Sequence, residues 1–459
     1  MNFGANILKY RDEILNDIKA LVAIPSCAAQ ESPGLPYGKE AAAALSWILG
    51  RAGEMGFATK NIQNYAGHAE YGEGGDLNAV LCHVDVVPPG EGWETEPFHA
   101  VMKQNKLYGR GVADDKGATV VALYCLKALK DANIQGKRRL RAIFGSGEEV
   151  GMNDLARYFE VEEMPSFGFT PDSDYGICNC EKGILQVEIS ADVHDGTILN
   201  ALRGGGAVNA VPDIAAALID CTENEDHQLM RLADAKEGDY TFQYTMDGLK
   251  IISRGKSAHA MQPQKGLNAV THLIDLLTSN FGYDVLGSLC AFLDDAVRLE
   301  TDGLSLGIKQ SDEMSGELTV NVGIVDIGPN HMRACLDIRY PVSADAGKII
   351  QKITDSARME GLHFSVMNHN PPLYLPQDSE KIKLLKKAYR DVTGEEPSVY
   401  STGGGTYART LRGNGVAFGP LFHGEESRLH EAGENIDVDE LMLHAQICLQ
   451  AMYLMLTED

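Results

Sequence analysis

The sequence has few cations and none of the long apolar runs that mark a membrane protein. Lys and Arg number 40 against 65 Asp and Glu, and the formal charge of -25 repels phosphate backbones and anionic membranes. No apolar run reaches the roughly 18 residues of a membrane span. The segment Met1–Asn6 lacks a basic stretch followed by an apolar one, so we expect no secretory signal. We predict a cytoplasmic protein whose partners include neither nucleic acid nor membrane.

Disulfide chemistry is also disfavoured. The nine cysteines are odd in number and scattered, and several stand inside apolar runs, as reduced core thiols do. Cys178 and Cys180 form a close pair, but no second pair accompanies them to complete a zinc knuckle. The chain of 459 residues is long enough for two or three domains with large cores.

One stretch combines an apolar strand with two polar groups at its end. Ala79–Cys82 is continuously apolar, which is typical of a strand buried on both faces of a parallel sheet. His83 and Asp85 follow at a spacing of two residues, so alternation along a strand places them on one face. Two prolines, Pro88 and Pro89, then end the strand. On these residues alone, a metal-binding histidine with its orienting carboxylate and an ordinary hydrogen-bonded core pair both remain open.

Later segments repeat the pattern of an apolar strand that ends in acid. Ligands of open α/β sheets lie at the carboxyl ends of the strands, so polar residues placed there lie close together. Two divalent ions about 3.5–4 Å apart, held by imidazoles and carboxylates, form the usual hydrolytic two-metal centre. The residues that fit this description, with a late loop histidine, are Asp114 or Asp115, Glu148 and Glu149, Asp172 and His430. Alone, each acidic pair is also typical of a solvated helix start; together they favour the metal centre.

Five motifs carry a resemblance to a known family. They are Leu81–Pro88, Gly109–Gly117, Gly147–Glu149, Thr170–Asp172 and His430. In order and spacing they resemble the M20 family of dinuclear zinc peptidases, and most closely the PepV-type dipeptidases, bacterial enzymes that act on Xaa-His and β-alanyl dipeptides. The resemblance implies an α/β fold: a zinc-peptidase catalytic domain, with a mixed sheet flanked by helices, and an inserted α+β lid domain. The change of texture at Lys182 and near Asn368 assigns residues 1–181 and 369–459 to the catalytic domain and 182–368 to the lid.

The resemblance also implies roles at the metal centre. His83 and Asp172 would bind one Zn²⁺, Glu149 and His430 the other, and Asp114 would bridge them, with Mn²⁺ or Co²⁺ as alternative metals. Asp114 is preferred over Asp115 because the family's bridging acid is the first of the Ala-Asp-Asp-Lys-Gly motif and precedes a cis peptide bond. Asp85 would orient His83. Glu148 would act as general base toward the metal-bridging hydroxide that attacks the peptide carbonyl, and then donate a proton to the leaving amine.

A second set of implied residues would bind the substrate. His259 matches the lid histidine that stabilises the oxyanion, and Asn209 a second polar contact near it. Arg339 matches the arginine that grips the free C-terminal carboxylate, for which a bidentate guanidinium is suited. Gly404 and Gly405 would let backbone amides approach the same carboxylate.

The predicted function is therefore hydrolysis of dipeptides of the Xaa-His or β-Ala-Xaa type that have a free C-terminal carboxylate. The alternative within the family is a deacylase or desuccinylase acting on N-acyl amino acids. A non-catalytic metal-binding protein is disfavoured because all metal ligands and the general base are present. The inserted segment is larger than the single α+β unit common in M20 dimers, so the resemblance to PepV-type enzymes implies a monomer whose partner is a small peptide substrate.

Overall fold

The computed structural model describes residues 2–422 and 427–458. The chain divides into two compact units: the first comprises Met1–Cys180, Leu373–Ser401 and Gly405–Asp459, and the second comprises Glu181–Pro372 with Thr402–Gly404. Residues 1, 423–426 and 459, which fall in the predicted catalytic domain, lie outside the described residues. In the described residues, no helix has the length and apolar character needed to cross a membrane.

The first segment of unit 1 alternates strands and helices. A 3-10 helix, Gly4–Tyr10, leads into the first α-helix. The strands are β1 (Ala58–Ile62), β2 (Ala66–Tyr71), β3 (Leu77–His83), β4 (Val101–Lys103), β5 (Lys106–Tyr108), β6 (Arg139–Gly145), β7 (Phe167–Thr170), β8 (Ser173–Asp174) and β9 (Ile177–Glu181). The helices are α1 (Arg11–Val22), α2 (Lys39–Glu54), α3 (Lys116–Asp131) and α4 (Asn153–Tyr158).

Unit 2 is built on an antiparallel sheet. Its strands are β10 (Gly183–Ala191), β11 (Leu199–Gly204), β12 (Ile214–Ile219), β13 (Asp239–Thr245), β14 (Gly248–Arg254), β15 (Ser311–Asp312), β16 (Gly316–Glu317), β17 (Thr319–Gly328), β18 (His331–Tyr340) and β19 (His363–Asn370). Its helices are α5 (Glu223–Ala233), α6 (Ala269–Thr278), α7 (Tyr283–Leu286), α8 (Ser288–Phe292) and α9 (Ala346–Met359), with short 3-10 and π turns at Pro263–Lys265 and Leu293–Val297. The sheet order is β13-β14-β12-β11-β17-β18-β10-β19, and β15 and β16 form a separate hairpin.

The chain then returns to unit 1. The last strands are β20 (Leu373–Tyr374), β21 (Val399–Thr402), β22 (Gly415–Ala417), β23 (Pro420–Leu421) and β24 (Asn435–Asp437). The last helices are α10 (Glu380–Thr393) and α11 (Val438–Thr457), with a 3-10 turn at Tyr407–Leu411. Helix α11 begins where the side chain of Asp437 accepts hydrogen bonds from the backbone N–H groups of Asp439 and Glu440, a typical N-cap.

The main sheet of unit 1 has the order β1-β2-β6-β3-β7-β22-β9-β20, and β21 pairs with β9. Strand β3 lies parallel to both β6 and β7, with His83 opposite Gly145 and Ala79 opposite Gly168. Every residue of β3 is buried. Val80 and Cys82 face the larger core beneath α1, α3 and α11, whereas Ala79 and Leu81 face a smaller core with Tyr407 and Leu411. Both faces of the sheet are therefore covered, which confirms the predicted mixed sheet flanked by helices.

Candidate active site

The parallel arrangement brings three strand ends to one edge of the sheet. His83 is the last residue of β3, Glu148 and Glu149 follow the end of β6, and Asp172 follows the end of β7. Asp114 lies in the turn immediately before α3. The structure thus brings these predicted site residues together, as expected for carboxyl ends of parallel strands.

His83 is only 1% exposed, and its two ring nitrogens face different groups. Nδ1 hydrogen-bonds with the backbone oxygen of Asp85 at 3.0 Å. Nε2 lies 3.0 Å from Oδ1 of Asp114 and 4.0 Å from Oδ2 of Asp172. Although Asp114 is so close, Nε2 makes no well-directed hydrogen bond to any described residue. A buried imidazole nitrogen that lies between two carboxylates without a directed hydrogen bond is in the arrangement of a metal ligand.

Asp114 faces a histidine with each of its two carboxylate oxygens. Oδ2 lies 2.9 Å from Nε2 of His430, and the same nitrogen lies 3.2 Å from Oε1 of Glu149. Two groups of ligand atoms result, one formed by His83, Asp114 and Asp172 and the other by Asp114, Glu149 and His430, each within 4.8 Å. Asp114 is common to both groups, which is the geometry of a bridging ligand.

Asp115 faces away from these groups. Its Oδ2 accepts the backbone N–H of His83 at 3.1 Å, and the peptide bond that joins it to Asp114 is cis. Of the two adjacent acids, Asp114 is the one that reaches the histidines. Burial raises the pKa of Asp115 well above its usual range.

The donor set fits two divalent cations. Burial raises the pKa of Asp172 to about 7, and the charge of Asp114 adds to the effect. Burial also raises the pKa of Glu149, again with a contribution from Asp114. Carboxylates that destabilise one another in this way are stabilised by positive charge placed among them. Two imidazoles with three carboxylates suit Zn²⁺ and also other divalent metals of intermediate softness.

Glu148 stands beside this cluster without belonging to either ligand group. Burial raises its pKa well above the usual value, and the charge of Asp172 is the next cause. A carboxyl group with a raised pKa can take up and release a proton near neutral pH, which is what a general base requires.

Asp85 has contacts with the site in addition to its approach to His83. Its carboxylate accepts the backbone N–H groups of Glu148 at 3.3 Å and Glu149 at 3.1 Å. Its Oδ1 is 3.5 Å from Nδ1 of His83, farther than the backbone oxygen of the same residue. The orienting role toward His83 stays a prediction, and the carboxylate has a second task that the sequence did not reveal, which is to hold the turn that carries both glutamates.

Two further buried acids near the site were missed by sequence reasoning. Asp154 accepts the backbone N–H groups of Ser146 at 2.8 Å and Gly147 at 2.9 Å and the hydroxyl of Tyr407. Glu434 accepts backbone N–H groups of the turn that leads to Asp114. Neither acid follows an apolar strand directly, and no local pattern distinguishes them from solvated acids.

The predicted substrate residues lie mainly in unit 2. The segments of Asn209 and His259 are joined, since Ala210 pairs with His259 and the oxygen of Asn209 accepts the N–H of Ala260 at 2.9 Å. His259 itself is exposed.

Arg339 is buried in the same unit. Its Nε and Nη2 donate to the carboxylate of Asp337 at 2.5 and 2.9 Å, and Nη1 donates to the oxygen of Gly403 at 3.0 Å. Gly404, which follows Gly403 in the chain, belongs to unit 2, whereas Gly405 belongs to unit 1.

Comparison with known proteins identifies the family. The model of the peptidase family M20/M25/M40 matches residues 79–453. The chain belongs to this family. The match confirms that the protein is a hydrolase of the metallopeptidase type, from a metal-dependent family, as the motifs predicted.

Individual relatives cover the whole chain. The chain is 35% identical over 468 residues to a Bacillus subtilis protein named "Putative dipeptidase YtjP", covering 99% of each chain. The fold of the present chain is similar to that of the dipeptidase Dug1p from Saccharomyces cerevisiae, with a TM-score of 0.60, 14% identity and coverage of 100% of this chain and 99% of that one. It is also similar to the Bacillus subtilis YXEP protein, described as a dinuclear metal-binding peptidase, with a TM-score of 0.52, 11% identity and coverage of 98% and 99%.

Proposed function

We propose that this M20 peptidase is a dinuclear metallodipeptidase, which hydrolyses dipeptides with a free C-terminal carboxylate, of the Xaa-His or β-Ala-Xaa type. The observation that carries the proposal is the position of Asp114, whose two oxygens each face a histidine, with Glu148 beside them. A relative named as a dipeptidase that aligns end to end supports the substrate class. The similarity of fold to the YXEP protein, a dinuclear metal-binding peptidase, supports the two-metal centre.

The residues that would hold the metals are His83 and Asp172 for one ion, Glu149 and His430 for the other, and Asp114 between them. When bound, two Zn²⁺ ions lower the pKa of a water molecule and polarise the scissile carbonyl. Mn²⁺ or Co²⁺ suits the same ligands.

Glu148 moves the protons of the reaction. Its carboxylate accepts a proton from the attacking water, and the burial that raises its pKa well above the usual value favours this transfer. It then donates the proton to the amine that leaves when the peptide C–N bond breaks. The proton is thereby transferred from water to product, and Glu148 is returned to its starting state.

Unit 2 would supply the substrate contacts. His259 would donate a hydrogen bond to the developing oxyanion, with Asn209 as a second polar contact. Arg339 would bind the C-terminal carboxylate of the substrate, together with backbone amides at Gly404 and Gly405. Among the described contacts, three of the five N–H groups of Arg339 are engaged, which leaves two for a substrate. Asp337 fixes the plane in which they point.

The experiment starts from protein stripped of metal and reloaded with Zn²⁺, Mn²⁺ or Co²⁺. We expect cleavage of β-Ala-His and Xaa-His dipeptides. We also expect no cleavage of their N-acetyl and N-succinyl counterparts. Preference for the N-blocked substrates would instead assign the protein to the deacylases of the family.

Glu148→Gln tests the mechanism. The variant should bind two metal ions as the wild type does and lose turnover by about 10²–10⁴-fold, the usual contribution of a positioned acid–base group. The matched control is Glu160→Gln, at an exposed glutamate that pairs with Arg157 among the described residues, and it should keep full activity. Full activity of Glu148→Gln would refute the assigned role.

We further propose that the enzyme acts as a cytoplasmic monomer. All nine cysteines are free thiols, in keeping with a reducing compartment. The monomer follows from the resemblance to PepV-type enzymes, whose larger lid replaces a dimer partner. A stable dimer in sedimentation equilibrium at micromolar concentration would contradict it.

A further inference from the structure

Glu434 is a completely buried acid that belongs to neither metal-ligand group. It follows His430 by four residues in a polar loop. Its Oε1 accepts the backbone N–H groups of Ala113 at 3.0 Å and Asp114 at 3.3 Å, and both oxygens lie 3.0 Å from the N–H of Gly111. One side chain thus receives three backbone donors of the turn that presents Asp114.

The backbone around Glu434 continues the same connection. Its own carbonyl oxygen accepts the N–H of Gly109 at 3.0 Å. The next residues form β24, which pairs with β5 so that Asn435 lies opposite Tyr108. Two chain segments more than 300 residues apart, one carrying His430 and the other Asp114, are therefore joined along their length by backbone and side-chain hydrogen bonds.

Arg110 holds the carboxylate of Glu434 in place. It is 1% exposed, and its Nη1 donates to Oε2 of Glu434 at 2.6 Å. Nη2 donates to the backbone oxygen of Pro89 at 3.3 Å, and the guanidinium lies over the ring of Trp93 at 5.4 Å. Arg110 therefore also fixes the loop that follows β3 and His83.

Stability alone does not account for this buried ion pair. Removing two charges from water costs several kcal/mol for each ion, and a well-packed apolar pair of the same volume is often as stable. In addition, Nε of Arg110 makes no hydrogen bond to any described residue. A carboxylate does, however, something that no apolar side chain can do here, because it accepts three converging N–H groups at once.

We infer that Glu434, held by Arg110, is a positioning residue of the metal centre: it fixes the backbone of Asp114 relative to His430 and so sets the site of the ion that these two residues share with Glu149. The inference rests on the proposed function, because it assumes that ions bind at these residues. Glu434 touches neither metal nor substrate. Its effect is transmitted through the backbone, so its loss should change metal affinity before it changes anything else.

Glu434→Gln is the direct test. Glutamine keeps the shape but retains one acceptor oxygen, and its amide N–H₂ faces backbone donors. We expect the affinity for one of the two ions to fall by 10–100-fold, the usual effect of losing a group that orients a metal ligand. The other ion should lose less affinity, because Asp114 is the one of its ligands that Glu434 holds, whereas His83 and Asp172 have no contact with Glu434 among the described residues.

The measurement is a titration of metal-stripped protein with Zn²⁺ in competition with a chromogenic chelator, which reports both binding steps without any substrate. Glu431→Gln is the control: its exposed side chain carries the same charge one residue from His430 but receives none of these N–H groups. A Co²⁺-substituted sample should show an altered visible spectrum for one ion in Glu434→Gln and an unaltered one in Glu431→Gln.

Unchanged affinity for both ions in Glu434→Gln would overturn the inference, and so would an equal loss in Glu431→Gln. Should Glu434→Gln not fold, Arg110→Lys replaces it, because lysine keeps the charge but loses the forked geometry; it should weaken the same ion. Wild-type protein that binds fewer than two ions would overturn both the inference and the metal centre. If the protein binds two ions with an affinity that depends on Glu434 but does not cleave dipeptides, only the proposed substrate class is refuted.

Discussion

Asp85→Asn separates two roles that the same residue can have. The carboxylate of Asp85 accepts the N–H groups of Glu148 and Glu149 at 3.3 and 3.1 Å, whereas His83 is bound mainly by the backbone oxygen of Asp85 at 3.0 Å. Asparagine leaves that backbone oxygen in place. It replaces one carboxylate oxygen with an N–H₂ group, which cannot accept a hydrogen bond.

The size of the effect follows from the contact that is lost. A hydrogen bond to a charged acceptor contributes about 1.5–3 kcal/mol, so losing one should cost about 10–150-fold in an equilibrium that depends on the turn. We expect the affinity for the ion bound by Glu149 and His430 to fall by this factor, and kcat to fall as well because Glu148 is on the same turn. The ion bound by His83 should change much less.

Chelator competition on metal-stripped protein, together with steady-state kinetics on β-Ala-His, measures both quantities. Asp76→Asn, at an exposed aspartate just before β3 whose carboxylate lies near Arg138, serves as the control. A loss confined to the ion of His83 would mean that the carboxylate acts through the imidazole instead. Wild-type affinity for both ions would refute either role for the side chain.

Two further predictions concern stability. Tyr407→Phe removes the hydroxyl that donates to the buried carboxylate of Asp154, so we expect the free energy of unfolding of the metal-free protein in urea to fall by about 1.5–3 kcal/mol; no change would contradict this. Burial lowers the pKa of His444 to about 3, so as the pH falls below the usual value of about 6.5 the unfolded chain binds a proton that the folded chain excludes. This should cost about 2 kcal/mol at pH 5 relative to pH 8, and the stability difference between wild type and the non-titrating His444→Gln should shift by that amount.

The sheet edge that forms the site could be predicted from the sequence because its signals are local. An apolar run such as Ala79–Cys82 indicates a buried strand, and the residues that follow it must emerge at the end of that strand. The order of β3, β6 and β7 was not predictable in this way, but the carboxyl ends of parallel neighbours meet whatever their order. The sequence therefore predicted which ligand residues lie at this edge, but not the order of the strands that carry them.

The groups that hold the ligands in place could not be predicted, because their partners are distant in sequence. Glu434 lies in a polar loop, and only the fold shows that its carboxylate meets the amides of Gly111 and Asp114, more than 300 positions earlier. The same holds for Asp85. Its carboxylate could have met either His83 or the N–H group of Glu148, and only the position of the turn after β6 shows that it accepts the N–H group. A pattern in one chain segment contains no information on the approach of another.

Three of the buried acids near the site that belong to neither ligand group have the same arrangement. Asp85, Asp154 and Glu434 each accept at least two backbone N–H groups from a turn that presents ligands or the general base. Each therefore adds a negative charge to a region already crowded with carboxylates, which is unfavourable for the metal-free protein and favourable for binding cations. An amide side chain would avoid the charge but could not accept as many donors. The positions of the ligands and the affinity for cations thus arise from the same residues, so neither can be changed by substitution without affecting the other.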